Sequence, residues 1–221
     1  MNKIEEIKAW KKEKDIVILA HYYVEGDVQE IADFVGDSYA LAKKATEVSQ
    51  QNILFCGVRF MGESAKLLNP DKHVYMADLE ADCFMARMVT AEQVKKVKAE
   101  HPLAAVVCYV NSTAEVKALS DVCVTSSNAI RVVKKMKEKE IFFIPDNHLA
   151  HFVADAVPEK TFIFHNGFCP VHQDITVNDI KSTKAQHIGA PVLAHPECPA
   201  EILKEADFIG STSEIIEKKK K

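Results

Sequence analysis

The chain has 221 residues, of which 48% are hydrophobic and 27% charged, as in a globular protein with a sizeable core. Its net charge of −4 argues against nucleic acid or an anionic membrane surface as the main partner. No apolar run approaches the roughly 20 residues that span a bilayer, and the N-terminus lacks a signal-peptide core. We therefore expect a cytoplasmic protein whose six cysteines are thiols or metal ligands.

The first 86 residues alternate between predicted strands and short helices. An amphipathic helix pattern, with Ile4, Ile7 and Trp10 on one face, comes before the first strand. Apolar runs and turn residues then predict strands at 16–22, 33–36, 52–56 and 73–77, and helices at 27–32, 39–48 and 60–68. Strands that alternate with helices indicate a parallel sheet covered on both faces, so we expect an α/β/α sandwich.

The same pattern returns twice more at a nearly constant period. Apolar strands end at His21, Tyr109 and His195, spaced by 88 residues (21 to 109) and 86 residues (109 to 195). The stretches that follow align as ADFVGDS, SDVCVTS and ADFIGST. They define two columns of matching residues: Asp33, Asp121 and Asp207, and Ser38, Ser126 and Thr212. Self-similarity at a fixed period indicates internal repetition.

Two capping-box patterns indicate where the second and third repeats begin. Thr90 and Gln93 fit the box well, and Thr176 and Asp179 fit it more weakly because Asp replaces Glu or Gln. We predict domains at 1–86, 87–172 and 173–221, related by a pseudo-threefold axis. The third repeat is expected to be incomplete.

The repeat divides the cysteines into two groups. Cys83 and Cys169 recur in register, 86 residues apart (83 to 169), each in a loop after a fourth strand, and they suggest a metal site. A third ligand is expected near residue 255, beyond Lys221. The absence of a C-x-x-C pair argues against a structural zinc ribbon. Three other cysteines are interpreted as buried core residues of strands: Cys56, Cys108 and Cys123. The sequence does not decide between a buried thiol and a ligand for Cys198.

The repeated columns also predict a binding site. In parallel α/β sheets, functional groups collect beyond the carboxyl ends of the strands, and hydroxyls at helix N-termini favour carboxylates or phosphates. The alternative is that Ser38, Ser126 and Thr212 are helix caps and nothing more. Their regular spacing from the strand-end His and Tyr residues favours a small polyanion bound on the axis. Glu197 and Asn111 align with Tyr23 and could supply acid, base and polarising groups.

Several motifs together resemble the quinolinate synthase family over essentially the whole chain. They are AHYY, GDSYALA, YVNS, FIPDNHLA, GFCPVH, AHPEC and ADFIGSTS. The resemblance implies three α/β/α domains around a pseudo-threefold axis. It also implies a pyridine-nucleotide (NAD) biosynthetic transferase that condenses iminoaspartate with dihydroxyacetone phosphate to quinolinate, losing phosphate and two waters. The family holds a [4Fe–4S] cluster on three cysteines with one iron open.

The resemblance assigns roles to residues by position. Cys83 and Cys169 are the implied cluster ligands, with the third cysteine expected beyond this chain. Tyr23, Tyr109 and Glu197 are the implied proton-transfer groups. The implied substrate-binding set is His21, Ser38, Tyr109, Val110, Asn111, Ser126, His172, His195, Pro196, Glu197 and Thr212. An L-aspartate oxidase or dehydrogenase is the implied source of iminoaspartate.

Two other functions fit the same residues. The first is a hydrolase or lyase that binds a single zinc or iron ion and acts on a small phosphate or dicarboxylate. The second is an inactive, C-terminally truncated scaffold that binds a dicarboxylate without turning it over. Metal and sulfide analysis distinguishes the first from a cluster enzyme, and an activity assay distinguishes the second.

Overall fold

A computed structural model describes residues 3–219, which fold as two compact units, Met1–Cys83 and Phe84–Lys221. Both are α/β with parallel strands, in the three-layer α/β/α arrangement that the sequence predicts. The domain boundaries expected near residues 86 and 172, and the number of repeats, stay predictions. None of the helices in residues 3–219 is long and apolar enough to cross a membrane.

The first unit contains one four-stranded sheet in the order β2-β1-β3-β4, with all neighbours parallel. Every predicted strand and helix of this unit is present within one residue at each end. Its elements are α1 (Lys3–Glu13), β1 (Ile16–His21), α2 (Gly26–Ile31), β2 (Phe34–Gly36), α3 (Ser38–Glu47), β3 (Asn52–Cys56), α4 (Arg59–Leu68) and β4 (His73–Met76).

The second unit contains a four-stranded parallel sheet with the equivalent order, β6-β5-β7-β8. A 3-10 turn (Met85–Arg87) leads into it. Its elements are α5 (Ala91–Glu100), β5 (Ala105–Tyr109), α6 (Ala114–Lys117), β6 (Val122–Val124), α7 (Ala129–Lys135), β7 (Glu140–Ile144), α8 (Asn147–Ala156) and β8 (Thr161–Phe164). Because β5 and β7 are almost wholly buried, the sheet forms the core of this unit.

The rest of the second unit forms a parallel pair of strands with helices around it. Its elements are α9 (Pro170–Gln173), α10 (Val177–Gln186), β9 (Leu193–Ala194), α11 (Ala200–Glu205), β10 (Phe208–Ile209) and α12 (Thr212–Lys219). The pairing of β9 with β10 has the register of β1 with β2. Both predicted capping boxes are present, at the starts of α5 and α10, including the one with Asp at its third position.

The aspartate column fixes the register of each first and second strand. The Asp33 carboxylate accepts a hydrogen bond from the Ile18 N–H at 2.8 Å, and the Asp33 N–H donates to the Ile18 carbonyl at 2.9 Å. Asp121 makes the same two bonds with Val106, and Asp207 with Val192. We call each of these three reciprocal contacts an aspartate clamp. The clamps hold the strands that deliver the candidate site residues.

One prediction about the cysteines is wrong. Cys56 and Cys108 are buried as expected, but Cys123 is exposed. It lies on β6, a three-residue strand at the edge of its sheet, where little packs over the side chain. Cys198, left open by the sequence, is buried in a small apolar cluster with Ala194 and Ile202.

Candidate active site

The carboxyl ends of β5 and β6 present the first two site residues of the second unit. Tyr109 is the last residue of β5 and is 5% exposed, because the whole strand AVVCY is buried. Ser126 follows β6 in a turn before α7. The N-cap of α7 is Asn128, so Ser126 is not a helix cap. Ser38 likewise follows an N-cap, Asp37, whose carboxylate performs the capping of α3.

The phenol of Tyr109 donates a hydrogen bond of 2.5 Å to Oε1 of Glu197. Glu197 lies in the loop after β9 and is 5% exposed. Burial raises the pKa of Tyr109, and the neighbouring Glu197 charge raises it further. Tyr109 therefore keeps its proton at neutral pH and presents it to a carboxylate.

His172, on α9, compensates the buried charge of Glu197. Its Nδ1 lies 3.1 Å from Oε2 of Glu197 in an ion pair. Burial acts to lower the pKa of His172, but interactions with Cys169 and Glu197 outweigh it and raise the pKa to about 10. Burial acts to raise the pKa of Glu197, but His172 and Tyr109 outweigh it and hold the pKa below its ordinary value. The site thus contains an imidazolium paired with a carboxylate.

His195 has a defined tautomer. Its Nδ1 accepts the backbone N–H of Glu197 at 3.3 Å, so the ring proton must lie on Nε2. Nε2 is 3.0 Å from Oγ of Ser126 and can donate to it. Burial lowers the pKa of His195, consistent with the neutral ring. Ser126 also interacts with the Tyr109 phenol.

These contacts join five side chains into one continuous chain, which we call the relay. It consists of His195, Ser126, Tyr109, Glu197 and His172. All five were predicted as site residues from the sequence. Val110, Asn111, Pro196 and Thr212 lie beside relay residues or at the start of α12, and their roles stay predictions.

Asp146 is a site residue that the sequence analysis did not assign. It directly follows β7 and Pro145, is 0% exposed, and caps α8 through a 2.6 Å hydrogen bond from the Leu149 N–H to Oδ1. Its Oδ2 has no hydrogen-bond partner among the described residues. Burial, and then the charge of Glu197, raise the pKa of Asp146 to about 8. The signal was available, because a charged residue at the end of a buried strand is unusual.

Cys169 could take part in a metal centre beside the relay. It is the partly exposed N-cap of α9, and its Sγ, with one ligand atom each from His172 and Glu197, forms a group whose atoms lie within 4.8 Å of one another. A thiolate, an imidazole and a carboxylate are ligand types that iron and zinc accept. His172 interacts with both Cys169 and Glu197, so a metal ion bound here would replace contacts that the three side chains make with one another.

The first unit carries four more of the predicted site residues. His21 ends β1, and its Nδ1 accepts the Tyr23 N–H at 3.2 Å, the same turn that His195 makes with Glu197. Burial lowers the pKa of His21. The ring of Tyr23 packs edge-on against His21 with centroids 4.5 Å apart and is 73% exposed. Ser38 begins α3, and Cys83 lies partly exposed in the loop after β4.

Taken together, the fold and the site define an α/β enzyme. Acid/base groups meet at the carboxyl ends of its parallel strands, beside a free thiol. The chain belongs to the family described as quinolinate synthetase A protein, whose model matches residues 5–221.

Proteins named quinolinate synthase are similar to this chain over nearly all of its length. One from Fusobacterium nucleatum is 53% identical over 213 residues, which cover 96% of this chain and 72% of that protein. One from Clostridium perfringens is 54% identical over 211 residues, covering 96% of this chain and 70% of that protein. One from Aquifex aeolicus is 49% identical, covering 96% of this chain and 66% of that protein.

Proposed function

We propose that this chain performs quinolinate synthase chemistry, the condensation of iminoaspartate with dihydroxyacetone phosphate to quinolinate with loss of phosphate and water. The relay is the observation that carries the proposal, because that conversion needs several proton transfers at one small, anionic ligand. Identity near 50% to quinolinate synthases over 96% of the chain supports the same function.

Tyr109 and Glu197 are the proposed acid and base. Glu197 is ionised and Tyr109 protonated, so Tyr109 can pass its phenol proton to Oε1 of Glu197 as Oη takes a proton from the substrate, and the reverse transfer returns a proton to the substrate. The His172 cation stabilises whichever of the two groups carries the negative charge. Isomerisation, ring closure and dehydration each need such a proton movement.

Ser126 and His195 are the proposed binding site for a substrate carboxylate. Because Ser126 accepts the proton of His195 at Oγ, it keeps its own hydroxyl hydrogen to donate. In the free chain that hydrogen can go to Tyr109; a bound carboxylate would take it instead. The same turn geometry at His21 is consistent with an equivalent role for His21 and Ser38.

Cys83 and Cys169 are the proposed protein ligands of a [4Fe–4S] cluster. Both are partly exposed thiols in loops that follow a fourth strand, which suits a ligand that must meet a cofactor from outside. When bound, such a cluster with an open iron supplies a Lewis acid for dehydration. Cys198 is a poor substitute, because burial raises the pKa of its thiol to about 11.

The test is product formation by the anaerobic chain after reconstitution with iron and sulfide. Quinolinate would be measured by mass spectrometry with both substrates present, beside Glu197→Gln and a matched control, Glu201→Gln, at an exposed position on α11. Product that depends on Glu197 but not on Glu201 supports the proposal. A chain with its cluster loaded that makes no product contradicts it.

A single divalent ion is the second candidate, favoured by the grouping of Cys169, His172 and Glu197. Metal and sulfide analysis of the purified chain separates the two. Zinc at one equivalent without labile sulfide favours the mononuclear site, whereas labile sulfide favours the cluster.

The proposed setting is the cytoplasmic synthesis of NAD. Iminoaspartate is short-lived in water, so an enzyme that oxidises or dehydrogenates L-aspartate is the proposed supplier. Dihydroxyacetone phosphate is the proposed second substrate.

A further inference from the structure

Cys108 and Cys123 lie opposite each other on neighbouring strands. They are register partners in the parallel pairing of β5 with β6. Neighbouring strands are about 4.8 Å apart, which is inside the range of about 4.4–6.8 Å that disulfides span between Cα atoms. Their thiols interact directly, because each shifts the ionisation of the other. A bond between the two sulfurs therefore needs little movement of the backbone.

The two thiols differ in their access to solvent. Cys108 is 0% exposed within an apolar cluster, and its S–H donates to the Tyr109 carbonyl at 3.3 Å. Cys123 is exposed at the sheet edge. A dissolved oxidant would thus reach Cys123 first, and the buried Cys108 thiol would react only with the oxidised Cys123.

Ionisation favours the same order. The interaction with Cys108 lowers the pKa of Cys123 to about 7 against the opposing effect of burial, and the Lys117 ammonium on α6 adds to the lowering. The pKa of Cys108 is raised, first by the neighbouring Cys123 and then by burial. Once Cys123 is oxidised its sulfur is no longer a thiolate that accepts a hydrogen bond from Cys108, so the largest obstacle to ionising Cys108 is removed.

The fold does not require thiols at these two positions. In the first unit the corresponding register partners are Ala20 and Val35, and in the pairing of β9 with β10 they are Ala194 and Ile209. Small and branched apolar residues therefore serve the same packing. Neither cysteine belongs to the relay or to the candidate metal centre.

We propose that Cys123 and Cys108 form an oxidant-sensitive thiol pair, in which Cys123 reacts with hydrogen peroxide and Cys108 then closes a disulfide between β5 and β6. In the first step the Cys123 thiolate attacks one peroxide oxygen, the O–O bond breaks, and a sulfenic acid and hydroxide form, the latter taking a proton to become water. In the second, the Cys108 sulfur attacks the Cys123 sulfur, the S–O bond breaks, and the departing hydroxide takes the Cys108 proton as water. Two thiols lose two electrons, and one peroxide becomes two waters.

The modification would reach the relay through the strands. Cys108 directly precedes Tyr109, and β6 leads within two residues to Ser126. A disulfide would remove the S–H that donates to the Tyr109 carbonyl and would tie together the two strand ends that carry relay residues.

The test uses the metal-free chain and trypsin. Cleavage after lysine and arginine places Cys108 in the peptide 99–117 and Cys123 in the peptide 118–131, each with a single cysteine. The chain is treated with a small excess of hydrogen peroxide, alkylated with iodoacetamide without reductant, digested and analysed by mass spectrometry. We expect a cross-linked pair of these two peptides that dithiothreitol separates. Recovery of both as separate alkylated or overoxidised peptides would overturn the proposal.

Two variants and a rate measurement complete the test. Cys123→Ser should abolish the cross-link, Cys108→Ser should leave Cys123 as a sulfenic acid that dimedone traps, and Cys56→Ser, at a buried site on β3, should change neither result. At pH 7 the larger thiolate fraction, reduced by the lower nucleophilicity of a more acidic thiol, predicts alkylation of Cys123 about threefold faster than an exposed thiol of ordinary pKa. Alkylation no faster than that of Cys56 would contradict Cys123 as the entry point.

Discussion

Replacing Asp146 with Asn should stabilise the metal-free chain, and the gain should grow with pH. The pKa of Asp146 in the folded chain is about 8, against an ordinary value of 3.8. Between these values the unfolded chain has lost a proton that the folded chain must keep. Stability contributed by this group is therefore present below pH 4 and declines as the pH rises toward 8.

The magnitude follows from the width of that window. Each pH unit corresponds to about 1.4 kcal/mol, so the cost at pH 7 is about 4 kcal/mol and the cost near pH 4 is close to zero. Asn cannot ionise, and its side-chain oxygen can still accept the Leu149 N–H that Asp146 Oδ1 accepts at 2.6 Å. The variant should thus keep the cap of α8 while losing the penalty.

Urea unfolding followed by circular dichroism at pH 5, 6, 7 and 8 measures the effect. Asp37→Asn is the matched control, because it makes the same replacement at a partly exposed N-cap that accepts from the Ala40 N–H at 2.8 Å. Asn and Asp are similar as N-caps, so we expect the control to change stability by less than about 0.5 kcal/mol at each pH. A difference between Asp146→Asn and wild type that does not vary with pH would refute the reasoning.

Three further outcomes are expected from the site. Ser126→Ala should weaken the binding of malate, a dicarboxylate, about tenfold or more in calorimetry, since a hydrogen bond to a charged group is worth about 1.5–3 kcal/mol. The control Ser127→Ala, at a hydroxyl that bonds Thr125, should leave malate affinity unchanged. A Ser126→Ala variant that binds malate as tightly as the wild type would assign Ser126 a structural role alone. Glu197→Gln should lower quinolinate formation about 100-fold or more if Glu197 is the base, and retention of activity would exclude that role. With Cys83 and Cys169 as proposed cluster ligands, Cys169→Ser should lower the iron and sulfide that the reconstituted chain retains on desalting, whereas Cys56→Ser, at a buried site, should not; equal retention by the two variants would exclude Cys169 as a ligand.

Local pattern was sufficient to predict the elements and four of the five relay residues, whereas His172 was assigned by the family resemblance alone. Strands of β-branched residues, helix caps and the repeat period are encoded within short windows, so the bounds of α3 and β3 could be read to within a residue. Tyr109, Ser126 and His195 were predicted because parallel strands bring their carboxyl ends to one edge.

What the sequence did not supply depends on contacts between distant segments. Cys123 has the apolar neighbours of a core residue, but its exposure is decided by β6 lying at a sheet edge. The raised pKa of Asp146 depends first on its burial and then on Glu197, which lies far along the chain. The exposure of Cys123 leaves no mark on its neighbours in sequence, and the place of Asp146 after a buried strand marks an unusual carboxylate without showing what surrounds it.

The aspartate clamps have a consequence for the route by which the chain folds. Parallel strands usually pair slowly, because the entropy of closing the crossover connection is lost before the contacts between the strands form. Each clamp joins residues only 15 positions apart, and short loops are cheaper to close. Each strand pair can thus find its register from its own segment, before distant segments meet. Asp121→Ala, which removes the acceptor of the Val106 N–H, should then slow refolding in stopped-flow experiments and leave the unfolding rate nearly unchanged, whereas faster unfolding alone would mean that the clamp forms late.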